Sequence, residues 1–257
     1  MFGAIAPRYD LLNHLLSLNR DRSWRRKAID ALLAGGAGAG VYLDSCAGTL
    51  DLARELAGRP GFAGRVLACD FVEEMLRRGT HKVAGVNVDV VCGDALLLPL
   101  RDTCVDGATV GFGVRNLASL EAGLQELARV LRPGGRLVVL EFATPVKQPL
   151  RALYLLYFRR ILPLMGHLIS RHETAYRYLP ESVLAFPDPR ALAAILEAAG
   201  FEGVGWSTHT GGIVAIHVGR RAGETSRRGP PRVPAGTGGG RSGDGNQQLV
   251  ADHAEEL

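Results

Sequence analysis

The stretch VYLDSCAGTLDLARELA, residues 41–57, reads as a short apolar strand, a tight turn and a helix. Turns of this shape hold the backbone close to a nucleotide, and they usually carry two or three glycines. This one keeps only Gly48, with Cys46 and Leu50 standing where small residues are expected. The fold follows if the strand–turn–helix reading is right. The function depends on whether the turn is an open cofactor loop or a closed one.

Outward from this stretch, strands and helices alternate. Apolar strands are expected at 41–44, 65–69, 86–92, 107–111 and 136–142, with helices at 50–57, 71–78 and 117–131. Arg132-Pro133-Gly134-Gly135 closes the last of these helices. The rhythm predicts a parallel sheet with helices on both faces. Such sheets bind ligands beyond the carboxyl ends of their strands. Here those ends hold Asp44, Asp70, Asp94, the 111–116 stretch and Glu141. Before the alternation, residues 7–33 read as two helical pieces, the second ended by Gly35 and Gly36. After it come a helical insertion at 147–180, a helix at 188–199 and two closing strands at 201–209 and 212–218. From Arg220 the chain is rich in Gly, Pro, Ser and Arg, and 220–257 is expected to be disordered, because it buries too little apolar surface to offset its ordering entropy.

The bulk numbers exclude several classes. The chain has 257 residues, 47% hydrophobic and 22% charged, which suits a globular protein with a sizeable core. The net charge of +4 comes mostly from arginine, since Lys27, Lys82 and Lys147 are the only lysines. No basic stripe with interleaved aromatics argues for nucleic acid. Cys46, Cys69, Cys92 and Cys104 form no C-x-x-C pair and no zinc spacing, and read as small buried thiols in a reducing cytoplasm. The start shows no signal-peptide pattern, and no run reaches the ~18 apolar residues of a membrane span.

A dehydrogenase would need G-x-G-x-x-G after the first strand, and residues 48–51 do not supply it. Asp44, ahead of the loop, suits a class I methyltransferase, in which this acid belongs to the network around the amino acid part of S-adenosylmethionine. Gly48 and Thr49 would bring the backbone to the cofactor. Asp70 stands where a carboxylate accepts from ribose hydroxyls, or it caps the following helix. Asp94 and Ala95 stand where an adenine ring would lie, or in a solvated turn.

Five stretches carry a resemblance: MFGAIAPRYDLLNHLLSL (1–18), GFGVRNLASLEAGLQELARVLRPGGRLVVLEFATP (111–145), YLLYFRRILPLMGHLIS (154–170), AYRYLPESVLAFPD (175–188) and TGGIVAIHVG (210–219). In order and spacing they resemble the ubiquinone/menaquinone C-methyltransferase family. The FG-x-RN and YRYLPES pieces are specific to it, whereas LRPGG is common to many methyltransferases. The resemblance implies a Rossmann-like class I fold with a mostly parallel seven-stranded sheet over 1–219, a helical N-terminal lid (1–36) and the insertion. It implies transfer of a methyl group from S-adenosylmethionine to a ring carbon of a polyprenylated quinol, a benzoquinol or a naphthoquinol.

The chemistry demands an in-line attack on the sulfonium methyl and a quinol held toward its oxyanion form. Arg115, a permanent cation, is the candidate to stabilise the quinolate oxygen, and Asn116 to orient it. The alternative for Arg115 is a structural ion pair with an acid such as Glu141. His167, His172, His209 and Tyr9 are candidates for the base. Tyr9 lies in the segment the family uses to cover the cofactor, with simple packing as the alternative. The insertion mixes Tyr154, Tyr157 and Phe158 with Arg151, Arg159 and Arg160, as suits a peripheral contact with the inner face of the membrane. A cap on the sheet or a homodimer contact is the alternative.

Two departures from the family bear on the loop. It usually reads D-x-[GA]-x-G-T-G-D, and here Cys46 and Leu50 replace small residues. If the family's last glycine serves a positive φ, Leu50 is strained; if it only allows close helix packing, Leu50 joins the apolar face of Leu52 and Leu56, and this second reading is the favoured one. Gly111 stands where many relatives carry a small hydroxyl residue. A non-catalytic subunit with an altered cofactor loop, or a methyltransferase for another lipid or phenol, are the rival readings.

Overall fold

The computed structural model describes residues 17, 19–35, 38–157, 160 and 180–223. Tyr9, His167 and His172 lie outside them, as do 224–257 and most of the expected lid and insertion. The described elements are α1 (Asp21–Leu33), β1 (Val41–Ser45), α2 (Asp51–Ala57), β2 (Arg65–Asp70), α3 (Glu73–Gly79), β3 (Val88–Cys92), β4 (Val105–Gly111), α4 (Leu120–Val130), β5 (Leu131–Phe142), α5 (Leu150–Leu156), α6 (Pro189–Ala198), β6 (Phe201–His209) and β7 (Val214–Arg221).

The seven strands form one sheet in the order β3-β2-β1-β4-β5-β7-β6. The first five pair in parallel, and β7 runs antiparallel to both β5 and β6. The chain builds outward from β1 to β3, then returns to the other side of β1 with β4. Between β1 and β4 the strand order reverses, and there a crevice opens at the carboxyl ends.

Side chains of β5 alternate between two cores. Leu137 and Val139 pack with Leu124 and Leu127 of α4 and Leu192 and Leu196 of α6. Val138 and Leu140 pack on the opposite face with Trp24, Ile29 and Leu32 of α1 and Leu52 and Leu56 of α2. Helix α1 is amphipathic because Trp24, Ala28, Ile29 and Leu32 recur at helical spacing. Its last carbonyls are tied by Arg136, whose Nη1 donates to Ala31 O at 2.7 Å and Ala34 O at 2.6 Å. Trp24 Nε1 donates to Thr210 Oγ1 at 2.8 Å, which fastens α1 to the turn between the last two strands.

Several boundaries differ from the sequence reading. Helix α4 begins at Leu120, because Val114–Asn116 form a 3-10 turn and Ser119 Oγ caps the helix by accepting from Ala122 N. Strand β5 begins at Leu131, which pairs with Val105 before residues 132–135 bulge out and Arg136 pairs with Gly107. Strand β7 runs on to Arg221, past the boundary expected at 219, because its backbone still pairs with β5 and β6 there.

Candidate active site

The loop after β1 leaves the sheet through three left-handed residues, Cys46 (φ 55°), Gly48 (φ 52°) and Leu50 (φ 67°). Leu50 N–H closes the turn on Ala47 O at 2.9 Å, and Leu50 is the N-cap of α2. This corrects the expectation for Leu50. Its side chain does join Leu52 and Leu56 and is fully buried, but its backbone is left-handed. The turn must pass from strand to helix in a few residues, and that geometry sets φ whatever side chain is present. Room for Leu50 comes from Gly79, where a Cβ would lie 2.7 Å from Leu50 Cγ and 2.5 Å from Thr49 O. The side chain therefore turns into the core and leaves the cavity side of the loop open.

Two carboxylates hold the loop. Asp70, at the end of β2, accepts from Gly48 N at 2.8 Å through one oxygen and from Val72 N at 2.9 Å through the other. It forms a turn of its own and is not the N-cap of α3, a position taken by Val72. Burial raises its carboxyl against the pull of backbone N–H groups from Val72, Gly48 and Phe71. Asp44 lies deeper and is fully buried. It accepts from Ala53 N at 3.0 Å and Thr109 Oγ at 3.0 Å. Burial pushes its carboxyl up to about 7, against the pull of the Thr109 hydroxyl and the Ala53 N–H.

These loops, with those after β3 and β4, enclose a cavity of about 260 Å3. Gly48, Asp70, Asp94, Ala95 and Asn116 line it. Asp94 also holds Leu96 N at 2.9 Å, so it is a turn residue and a wall residue at once. Asp44, Thr49 and Arg115 do not line the cavity. Asp44 and Thr49 are buried under the loop that they shape.

Arg115 is also one layer behind the wall. Its Nη1 donates to Glu141 Oε1 at 2.5 Å and to Phe112 O at 2.8 Å. Glu141, left at the end of β5 inside the protein, requires a cation, and Arg115 supplies it. Of the base candidates, His209 sits elsewhere, between Lys27 Nζ (3.3 Å) and Ser207 Oγ (3.1 Å), in a groove against β6.

Among the described residues, the lining contains two carboxylates and neither lysine nor arginine. It would repel a pyrophosphate and attract a cation. S-adenosylmethionine carries a sulfonium and an ammonium group, so the donor set fits it. Gly111 is bare because a Cβ there would meet Leu52 Cδ1, so Leu52 takes the space of the missing hydroxyl side chain. Sequence reasoning passed over Phe71, Val72 and Met75, which also line the cavity. Their signal was available: they directly follow an acid at a strand end. Phe71 is 68% exposed and offers an apolar plate at the rim. Among the described residues no cluster of His, Cys, Asp and Glu is suited to a metal, and no helix is long and apolar enough to cross a membrane.

Comparison with known proteins agrees with this geometry. The model of the ubiE/COQ5 methyltransferase family matches residues 1–221. A demethylmenaquinone methyltransferase of Thermus thermophilus is 50% identical over 224 residues, covering 86% of this chain and 100% of that protein. One from Mycolicibacterium vanbaalenii is 45% identical over 222 residues, covering 86% and 93%. In fold, the chain is similar to a putative methyltransferase solved with its Trm112 activator from Haloferax volcanii. The TM-score is 0.63 at 16% identity, over 87% of this chain and 98% of that one.

Proposed function

This chain belongs to the ubiE/COQ5 methyltransferase family, and from that premise we propose that it methylates a ring carbon of demethylmenaquinol, using S-adenosylmethionine. The observation that carries the reading is the cavity at the β1/β4 switch point, lined among the described residues by Asp70 and Asp94 and by no lysine or arginine. The names of the relatives at 50% and 45% identity support the substrate.

When bound, S-adenosylmethionine would supply an electrophilic methyl on a sulfonium. The residues of the chain do the rest. Asp70 and the Gly48 loop bind the ribose and amino acid end, and Asp94 and Ala95 the adenine end. Asp44 and Thr49 act from beneath, by holding the loop in shape. Asn116, on the cavity wall, faces the quinol oxygen. As that oxygen loses its proton, electron density moves to the neighbouring ring carbon, which bonds to the methyl; loss of the ring C–H proton restores the aromatic ring. Tyr9, in the N-terminal segment, is placed in this reading as part of the cover.

The prenyl tail implies a membrane source for the substrate. Val146, Leu153 and Leu156 are 83%, 61% and 54% exposed beside Lys147 and Arg151. Apolar side chains flanked by cations suit an anionic bilayer surface, and this face of the insertion is our candidate for peripheral contact. Flotation with anionic liposomes should carry the protein upward, and Leu153→Glu should abolish that. A homodimer through the same face would instead show as a concentration-dependent mass.

The deciding experiment is the quinone profile of a strain lacking this gene, with turnover of demethylmenaquinol by the purified chain. Accumulated demethylmenaquinone, relieved by the gene, is the expected result. A normal profile, or turnover of an unrelated phenol or lipid alone, would overturn the substrate. Failure to bind S-adenosylmethionine at millimolar concentration would favour a non-catalytic subunit.

A further inference from the structure

Glu141 is the penultimate residue of β5 and is 1% exposed. Its Oε1 takes Arg115 Nη1 at 2.5 Å and the Phe142 backbone N–H at 2.9 Å. Among the described residues, its Oε2 and Nε of Arg115 are buried without a hydrogen-bond partner. The pair is thus one-pronged, although a guanidinium and a carboxylate form their strongest pair with two parallel bonds. Half-satisfied buried groups of this kind call for an explanation.

The explanation lies on the other side of the guanidinium. Arg115 Nη1 also holds the carbonyl of Phe112 at 2.8 Å. Phe112 lines the cavity at φ 56°, a left-handed conformation that is costly for a bulky aromatic residue. Its N–H is fixed on Leu140 O at 2.7 Å, and Asn116 Nδ2 also approaches its carbonyl at 3.3 Å. The Phe142 ring packs on Phe112, 4.6 Å between centroids, and lies under the Arg115 guanidinium at 5.4 Å. A chain of contacts therefore runs from Glu141 through Arg115 to the strained floor of the cavity. Serving the Phe112 carbonyl draws the guanidinium away from two-pronged pairing.

We propose that Glu141 is a positioning residue for methyl transfer: its carboxylate sets the Arg115 guanidinium on the Phe112 carbonyl and so holds the Phe112–Asn116 floor in its working shape. The inference rests on the reading of this cavity as the methyl-transfer site. Glu141 touches neither cofactor nor substrate and acts through Arg115.

Two variants of the full chain test it. Glu141→Gln keeps the shape and removes the charge; Glu141→Asp keeps the charge and shortens the reach. In both, kcat with demethylmenaquinol should fall by about tenfold or more, while the Kd for S-adenosylmethionine stays within about twofold, because Asp70 and Asp94 do not touch the pair. In an Arg115→Leu background, Glu141→Gln should change kcat by less than about twofold, since its effect passes through the guanidinium. A substrate-free readout accompanies these. Trp24 packs against Phe112 and Phe142, with centroids 6.3 and 6.4 Å away. With the other tryptophan removed by Trp206→Phe, its emission should shift in both variants. Folded variants with kcat within about twofold of the parent overturn the proposal. Loss of fold in both does so too, since it would confine the pair to stability. If the parent chain leaves the quinol unmethylated, the substrate reading fails, and the Trp24 emission still decides for or against Glu141.

Discussion

Replacing Leu50 by glycine restores the residue usual in this loop, yet the structure implies that it destabilises the protein. Two terms oppose each other. Relief of the left-handed backbone at φ 67° should return about 1–2 kcal/mol. Loss of a fully buried leucine side chain between Leu52, Leu56 and Gly79 should cost roughly 2–5 kcal/mol. The packing loss wins, and the net destabilisation should be about 1–3 kcal/mol, or roughly 3–10 °C in Tm for a domain of this size. Leu50→Ala separates the terms, since it loses the packing and keeps the strain. At an ordinary position alanine is the more stable replacement; here glycine should exceed alanine by about 1 kcal/mol. Thermal unfolding of the three proteins without cofactor gives the order wild type, glycine, alanine. A glycine variant as stable as wild type would mean that strain outweighs packing. An alanine variant more stable than the glycine one would refute the left-handed backbone itself. Titration of S-adenosylmethionine into the glycine variant should show no gain in affinity, because Leu50 points away from the cavity.

Gly79→Ala drives a Cβ to 2.5 Å from Thr49 O, a backbone atom that cannot move without the loop. It should destabilise by about 1–3 kcal/mol and weaken cofactor binding, measured by melting and calorimetry. Gly113→Ala would collide with Cys46 Cβ. A loss of about 1–3 kcal/mol is expected, and Cys46→Gly should largely rescue it, so a double-mutant cycle that comes out additive would be the contrary result. Asp44 is raised from its unfolded value to about 7 by burial. Between about pH 4 and 7 the native state therefore keeps a proton that the unfolded chain has lost, so stability is full below that window and falls as the pH rises through it. Asp44→Asn should match wild type near pH 4.5 and exceed it at pH 8 by roughly 3 kcal/mol in urea titrations.

Much of the site was legible because strand ends are. Asp70, Asp94 and Ala95 follow short runs that read as strands, β2 inside the sheet and β3 at its edge, and the parallel pairing of the two delivers all three residues to one cavity. Gly48 was readable from its turn. Depth was not readable. Asp44 follows the same kind of run, but the helix after it folds over its carboxylate. Backbone sign was hidden as well. Cys46 and Leu50 give no compositional hint of φ, and the residues that accommodate them, Gly113 and Gly79, are distant in sequence. The Arg115–Glu141 pair was anticipated as an alternative, and the choice depended on whether β5 would leave Glu141 in water or in the core. The placement of β7 between β5 and β6 reverses the order of synthesis, and no local pattern encodes it.

That placement bears on how the chain is made. β5 is a central strand, yet one of its edges is covered only by β7, the last strand to leave the ribosome. Until then, the edge of β5 is open to other chains. Trp24 likewise waits for Thr210 before α1 is fastened. Trp24 packs on Phe112 and Phe142, so a nascent chain that already contains the described lining of the cavity still lacks the contacts that brace it. Its closing step joins distant parts of the chain and is slow by nature. Truncation within β7 should therefore yield aggregation and not a weakened enzyme.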